Sequence, residues 1–498
     1  MARKKRRWRI LLWAILLIAL TPVLAWILYP VATRWLLSGP RLRAQINVQP
    51  QYFLLDYDEA VSDKPGHLTI KNLSIRGSDP NVQWLIRLDS AEVEFEMSAL
   101  LKRTLRCTSI RGAGLAFSLR NKMKPSVATT ADASVLPPIP GFSDPPLRSS
   151  DDKFPTPDPK ALLLDVRSVS IEHFDDFWVD AYHFRGAARV DGSFQLRPAL
   201  FAQIGPAKLT FERGDVRIGK ASDGIAVAGT ITATFDPFAP LELPDAKVFQ
   251  VVSSEVQLEG SFQKLQSLQY LFQGVGARLE GGTAKATIEA TIDHGAAKGS
   301  LSAAVKNAVE QLEKYKLRGN ADIRVNIPKW NLVSGPMDVS GTRVKIFDTR
   351  AFGSPDDRRW SGQFDIPSGK VDVTTTATVQ AKTQDARPML AVLGAPLPFW
   401  TKPLVKLKDF SGSARATLGP SVIRIQGLDA KGGTFHVQGH YVREKAKTDG
   451  AFLIESGILS VGVELDGKKT KVRPFFAKTW FAKQVGSSEG AKTGAKGE

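Results

Sequence analysis

Cysteine is nearly missing from this sequence of 498 residues: Cys107 is the only one. A lone thiol excludes an internal disulfide framework and any metal site built from several cysteines. Histidine is scarce too, at six, and only His436 and His440 stand at a metal-like spacing, in HVQGH. The alternation around them predicts a strand, which separates them by ~13 Å at 3.3 Å per residue, too far to share an ion. His173 and His183 fall on different expected strands. No metal centre is expected.

Catalytic motifs are missing as well. No G-x-S-x-G occurs. GVELDGK at Gly462–Lys468 resembles a phosphate loop, but Lys469 stands where Ser or Thr is needed. Asp466–Gly467 reads there as a hairpin turn, with no helix to aim its dipole at phosphate. Arg213–Gly214–Asp215 reads as a turn between two alternating segments. The chain is expected to be no enzyme, with no catalytic residue and no cofactor.

Long apolar runs are missing except for one. Ile10–Tyr29, ILLWAILLIALTPVLAWILY, holds twenty residues without a charge. At 1.5 Å per residue a helix of that length spans ~30 Å, the hydrocarbon thickness of a bilayer. Arg3, Lys4, Lys5, Arg6, Arg7 and Arg9 precede it, a bias that holds the N-terminus in the cytoplasm. A cleaved signal peptide would have an apolar region of about 7–15 residues and a small-x-small site. Ala25 and Ala32 do not make one. The expectation is a single retained anchor with the rest of the chain across the membrane.

The net charge of +17 owes six cations to that flank, and several more to lysines after residue 467. Elsewhere cations alternate with acids, without the concentrated basic patch and interleaved aromatics of a nucleic-acid surface. No nucleic-acid partner is expected.

What is present is period-two alternation. In AEVEFEM, Val93, Phe95 and Met97 face one way and three glutamates the other; Leu115, Phe117 and Leu119 repeat the pattern. One apolar and one wet face favour antiparallel pairing. In His67–Gly77 the apolar set slips from Leu68 and Ile70 to Leu73 and Ile75, so a bulge or turn is expected near Lys71–Asn72. Ile231 and Phe235, Val248 through Phe262, Ile288, Ile323 and Val325, and Val371 and Val373 continue the series. Asp191–Gly192 reads as a hairpin turn, Ser98–Arg103 as one helical turn and Leu265–Phe272 as a short amphipathic helix. Residues 301–316 suit either a helix or a strand. With no helical crossover pattern, the body is expected to be all-β. Nine prolines and little periodicity mark residues 121–160 as a disordered linker.

The end of the chain, LKDFSGSARATLGPSVIRIQGLDAKGGTFHVQGHYV from Leu407 and then GAFLIESGILSVGVEL, resembles the C-terminal repeats of AsmA-like proteins. The opening does too: an apolar run, HLTIKNLSIRG, LDSAEVEFEMSALL and IRGAGLAFSL. The resemblance covers residues 1–120 and roughly 370–481, the middle only in style. It implies an anchor in a bacterial inner membrane, a periplasmic body, and an elongated antiparallel β-sheet curled into a groove with an apolar concave face. It further implies phospholipid and the inner membrane as partners, with other envelope proteins, and phospholipid binding or transfer between envelope membranes.

The groove lining expected from parity is Leu68, Ile70, Val93, Phe95, Leu115, Phe117, Leu119, Ile231, Phe235, Ile288, Ile323, Val325, Val371, Val373, Ile423, Ile425, Phe435 and Val437. Phe475, Phe476, Trp480 and Phe481 would cover the groove end or touch a membrane if helical; a last strand is the other reading. The alternative function is a scaffold or adaptor in outer-membrane biogenesis, with the apolar faces packed into closed cores. The resulting division is a basic flank (1–9), anchor (10–29), N-terminal β-region (41–120), linker (121–160), central β-region (161–369), C-terminal β-region (370–481) and disordered tail (482–498).

Overall fold

The computed structural model describes residues 28–47, 49–125, 135–149, 154, 156–219, 224–240, 242–243, 245–272, 277–312, 315–352, 359–372, 374–385, 408–419, 422–444, 447–467 and 469–493. Among them are twenty-three strands and a few short helices. The apolar run at 10–29 lies outside the described residues except for its last two. Among the described residues no helix is long and apolar enough to cross a membrane. The chain divides into two compact units, Met1–Lys220 with Val227–Ser254, and Ala221–Ala226 with Glu255–Glu498.

The first unit begins with a helix over residues 28–37 (α1), followed by α2 (Pro40–Ile46). Leu37 is buried with Tyr57 and Ala60, against Leu55, Leu68, Ile70 and Leu73. The Tyr57 hydroxyl donates to the Leu37 carbonyl (2.8 Å), and the Tyr29 and Ser62 hydroxyls bond at 2.6 Å. The helical entry is thus fixed to the sheet edge.

That edge is β1 (Phe53–Asp56) and β2 (Glu59–Val61), both paired with β3 (His67–Ser78). From β3 the ladder runs to β4 (Val82–Phe95), β5 (Thr104–Asn121), β6 (Leu163–Val179), β7 (Tyr182–Arg197) and β8 (Phe201–Ile218). A one-turn helix, α3 (Met97–Leu100), joins β4 to β5. The strands β9 (Ile225–Phe238) and β10 (Val252–Phe262) straddle the division between units.

The second unit is a longer ladder: β11 (Ala277–Asp293), β12 (Ala296–Leu312), β13 (Tyr315–Asn331), β15 (Thr342–Phe352), β16 (Trp360–Val371), β17 (Thr375–Asp385) and β18 (Lys408–Gly419). It continues through β19 (Val422–Gly432), β20 (Phe435–Glu444), β21 (Lys447–Ser456), β22 (Leu459–Asp466) and β23 (Lys469–Arg473). The two-residue β14 (Met337–Asp338) pairs with the far end of β16. A helix, α4 (Ala477–Thr493), closes the described chain. Residues 301–316, open between helix and strand, are strand to Leu312 and again from Tyr315.

Asn72 has φ +51 and sits where the apolar parity of β3 slips. A single left-handed residue reverses the side-chain alternation without shifting the register, so Leu73 returns to the side of Leu68 and Ile70. The device recurs in neighbouring strands. Gly114 (φ +70) lies across from Asp89, and His173 (φ +57) lies one strand further. In the second unit Asn307, Asp348 and Asp409, all near φ +50, do the same. The Asn307 amide donates to Asn320 Oδ1 at 2.9 Å, satisfying the donor its bulge frees. Bulges aligned across strands crease a sheet locally, because each bends and over-twists its strand.

Several expectations need correction. The sheet is not purely antiparallel: β5 and β6 run parallel. A hairpin cannot make such a pair, and residues 122–162 supply the return connection that it requires. Asp191–Gly192 is not a turn but lies inside β7, opposite Ser170 and Val169; the chain reverses instead at Asp180 (φ +45). Arg213–Gly214–Asp215 is likewise inside β8, where Gly214 faces Gly186 so closely that a Cβ on Gly186 would fall 2.3 Å from Gly214 Cα. The glycines there serve close backbone approach, not reversal. Val248 belongs to a 3₁₀ segment, Asp245–Val251, ahead of β10. Leu265–Phe272 is also 3₁₀.

Within the stretch whose prolines predict disorder, residues 135–148 are packed. Val135 and Ile139 are buried, and Met123 bridges to Leu147. The side chain of Arg120, only 1 % exposed, donates to the carbonyls of Pro137 (3.0 Å) and Ser143 (3.1 Å), and to Gln83 Oε1 and Asp144. These anchors supply what apolar periodicity does not.

Candidate functional site

Directly opposed residues in a ladder share a face, so register turns alternation into a map. In the first unit Leu68, Val93, Ile110 and Val169 form one cross-strand row. Leu73, Leu88, Leu115 and Phe174 form another, and Ile75, Ile86, Phe117 and Phe177 a third. Ile70, Phe95 and Leu119 lie on the same face. The intervening rows, such as Thr69, Glu92, Arg111 and Ser170, are polar.

Phenylalanines concentrate on the apolar face. Phe117 stacks on Phe177 at 5.3 Å between centroids, and Phe174 meets Phe177 edge-on at 5.4 Å. Phe177 stands opposite Phe184, which contacts Phe211 at 4.8 Å. Sequence alternation missed Phe174 and Phe177, because the left-handed His173 reverses the alternation before Phe174 and a register shift between Phe174 and Asp176 breaks it again within FDDFWV.

The second unit carries the longer row. Ala286, Ala303, Ile323, Val344, Phe364, Ala381, Gly412, Ala430, Val437, Ile454 and Val461 stand opposite one another in turn, across eleven strands. The row one residue over reads Lys285, Ala304, Asp322, Lys345, Gln363, Lys382, Ser411, Lys431, His436, Glu455 and Ser460. The first row is half-buried except for the buried Ala430; most of the second is exposed. Ile288 pairs with Leu301 and Leu301 with Val325. Val371, Thr375, Leu418 and Ile423 make a further row on the apolar face. Gly427 (φ +57) resets parity between Ile423–Ile425 and Leu428–Ala430, as Asn72 does in β3.

Of the lining expected from sequence, Leu115 and Phe435 are buried, Ile288 and Ile423 are exposed, and the others described are half-buried. Ile231 and Phe235 are on β9. Val373 lies outside the described residues.

The C-terminal aromatics separate into two pairs. Helix α4 packs with Ala477 buried, and the Trp480 ring covers Gly462, where a Cβ would come within 2.6 Å of it. Arg473 lies 5.3 Å from that ring, and Lys478 pairs with Glu455 at 2.6 Å. The Lys478 hydrogen bond holds the Glu455 carboxyl below its ordinary range. Gly462 and Glu455 both point away from the apolar row, so the helix start lies on the polar side. Phe475 and Phe476 are 79 % and 87 % exposed.

Polar groups on the opposite face are engaged with one another. Asp165 accepts from Arg106 (2.9 Å), Arg167 (3.2 Å) and Gln195 (3.1 Å). Burial pushes its carboxyl up, and these bonds together outweigh it, leaving it below the usual range. His436 meets Asp429 at 2.9 Å and Glu455 at 3.5 Å. Among the described residues no three His, Cys, Asp or Glu side chains are placed to hold a metal ion. A shallow depression beside Lys345, Ser361, Lys382 and Asp409 is open, and its buried hydroxyl, Thr383, already donates to the Ser361 carbonyl at 2.7 Å.

No protein-family model, curated protein or solved structure matches the chain.

Proposed function

We propose that this chain is an AsmA-like, inner-membrane-anchored periplasmic protein that binds or transfers phospholipid along the apolar face of its sheet. Residues 10–29 are the anchor, and the creased sheet curls around the acyl chains, with headgroups at its polar rim. The observation that carries the reading is the unbroken apolar row from Ala286 to Val461, flanked by a polar row on the other face. A row of half-buried aliphatic side chains offers each methylene ~0.8 kcal/mol. Neighbouring positions are nearly equal in energy, so a bound chain can slide. No group on this face is asked to do chemistry.

The scaffold reading has one observation in its favour: Leu115, Phe174 and Phe184 are buried, as in a filled core. One pair of variants separates the two. In Phe117→Glu and Val437→Asp, a water-accessible, lipid-holding face tolerates the charge but rejects hydrocarbon. Lipid recovered with the purified full-length chain should fall sharply while the melting temperature moves modestly. Severe unfolding in both variants, with no lipid on the parent chain, would remove the lipid reading and leave the scaffold.

A further inference from the structure

The hairpin tip between β21 and β22 is unusual for a surface turn. Ile458 is 101 % exposed and Leu459 65 % exposed, side by side beyond Gly457 (φ +58). Turn tips ordinarily carry polar residues, because an apolar side chain there gains nothing from folding. Register shows what stands beside the tip. Gly462 pairs with Arg473, so β23 runs back toward Leu459 and delivers Pro474–Phe476 to the same end. The Lys478–Glu455 pair holds the first turn of α4 against the last residues of β21, close to that tip.

Four large, exposed apolar side chains, Ile458, Leu459, Phe475 and Phe476, are therefore held at one end of the C-terminal hairpins. Sequence alternation found the phenylalanines but not Ile458 and Leu459, since an apolar turn has no periodicity to register.

Two further features identify the occupant. Arg473, Lys478 and Lys483 flank the phenylalanines in sequence, Arg473 and Lys478 also pairing with Glu464 and Glu455, and from residue 467 to 498 the sequence has eight lysines and arginines against two glutamates. The apolar face also reaches this end: Leu459 and Val461 share parity on β22, and Val461 ends the long row. A protruding apolar tip followed in sequence by a segment rich in cations, with Trp480 one turn behind, has the chemistry that enters an anionic lipid interface. A flat protein partner would leave such a tip unmatched.

We propose that Ile458–Leu459 and Phe475–Phe476 form a membrane-inserting tip that docks the C-terminal end of the chain onto a bilayer containing anionic phospholipid. The proposal rests on the lipid-handling reading in one respect: it supplies the opening at which the apolar face meets a second membrane.

The test uses the full-length chain kept soluble in an amphipathic polymer. An environment-sensitive fluorophore is attached at Ile458→Cys, at Phe476→Cys and, as a control, at Lys447→Cys at the opposite end of β21. Cys107 is buried and stays unlabelled. Vesicles of phosphatidylethanolamine with phosphatidylglycerol should blue-shift and brighten the label at 458 and 476 but not at 447. Phosphatidylcholine vesicles should give a much smaller response. Ile458→Asp combined with Phe476→Asp should lower vesicle partitioning more than tenfold with the melting temperature unchanged, both side chains being exposed. No response at 458 and 476, or an equal response at 447, overturns the proposal. Lipid recovered with the same preparations is measured in parallel. Lipid retained without tip insertion refutes the tip and leaves the groove; insertion without retained lipid supports the tip and refutes the groove.

Discussion

The guanidinium of Arg120 donates to the carbonyl of Pro137, seventeen positions later, from a site with almost no exposure to water. A sheet residue and a proline-rich connection are thereby tied by a buried cation. Three of its acceptors, Pro137, Ser143 and Asp144, belong to that connection, and Gln83 is on the sheet. Deleting residues 125–159 would leave six residues, ~20 Å of extended chain, to return along the whole of β5, so the parallel β5–β6 pairing should be lost and the denaturant midpoint should fall steeply. Arg120→Met should release residues 135–148 with a smaller loss, seen as faster amide exchange confined to that segment. Unchanged denaturant midpoints in both variants would contradict the clamp.

Gly412 lies on the apolar row against Ala430, and a Cβ there would come 2.3 Å from the Ala430 Cβ and 2.8 Å from backbone. Gly412→Val should destabilise by roughly 1–3 kcal/mol through overpacking. At Gly427 nothing lies within 4 Å of a new Cβ, and only the φ of +57 opposes substitution. Gly427→Ala should cost ~1 kcal/mol. Deleting Gly427 should be far worse, because it turns Ile423 and Ile425 to the wet face. Thermal melts of the three variants should rank in that order of severity: deletion, Gly412→Val, Gly427→Ala.

How far the sequence could be read follows from these positions. Where parity holds, as in AEVEF or HVQGH, alternation identifies strand and face, but it also extends to Met97, which begins α3 and is not part of β4. Slips at Asn72 and Gly427 remain readable because a single residue permits left-handed backbone and the apolar series resumes at once. In FDDFWV the series does not resume cleanly, so Phe174 and Phe177 escape. Asp191–Gly192 and Arg213–Gly214–Asp215 mislead for a different reason: turn chemistry is local, and a long neighbouring strand overrides it by pairing straight through. The packing of residues 135–148 depends on Arg120 and Arg76 from distant strands, which no local pattern records. Which strands make each row depends on register, which the sequence does not print.

The Cys107 thiol is pushed up to about 11, by burial first and by the charge of Asp165 second. Thiolate is the reacting form, so at pH 8 the native chain should react with a disulfide reagent orders of magnitude more slowly than the unfolded chain. A stopped-flow comparison in buffer and in denaturant checks this. Equal rates would mean the site is open.

Asp165 titrates below its ordinary value in the folded chain. A depressed carboxyl contributes stability that is fully present above its unfolded value, near 4, and is lost as pH falls through the folded one. Stability should therefore decline below about pH 4, and Asp165→Asn should be less stable at pH 7 with a shallower acid limb. Denaturant titrations at pH 7, 4 and 3 measure it; parallel curves for both proteins would exclude the carboxylate as the cause.

The parallel pairing of β5 with β6 has a consequence for how the chain assembles. The hairpin pairings can close from their own turns, one residue pair after the next. Arg106 reaches Asp165, and Asn121 reaches Asp180, only across 59 residues. Loop closure on that scale must precede any contact that rewards it. The ladder should therefore form as separately nucleated zippers on either side of this seam, with joining of β6 to β5 as the slow event in the N-terminal unit. Until the seam closes, β5 presents an unpaired edge, and the chain is most exposed to mispairing with another copy of itself at that stage.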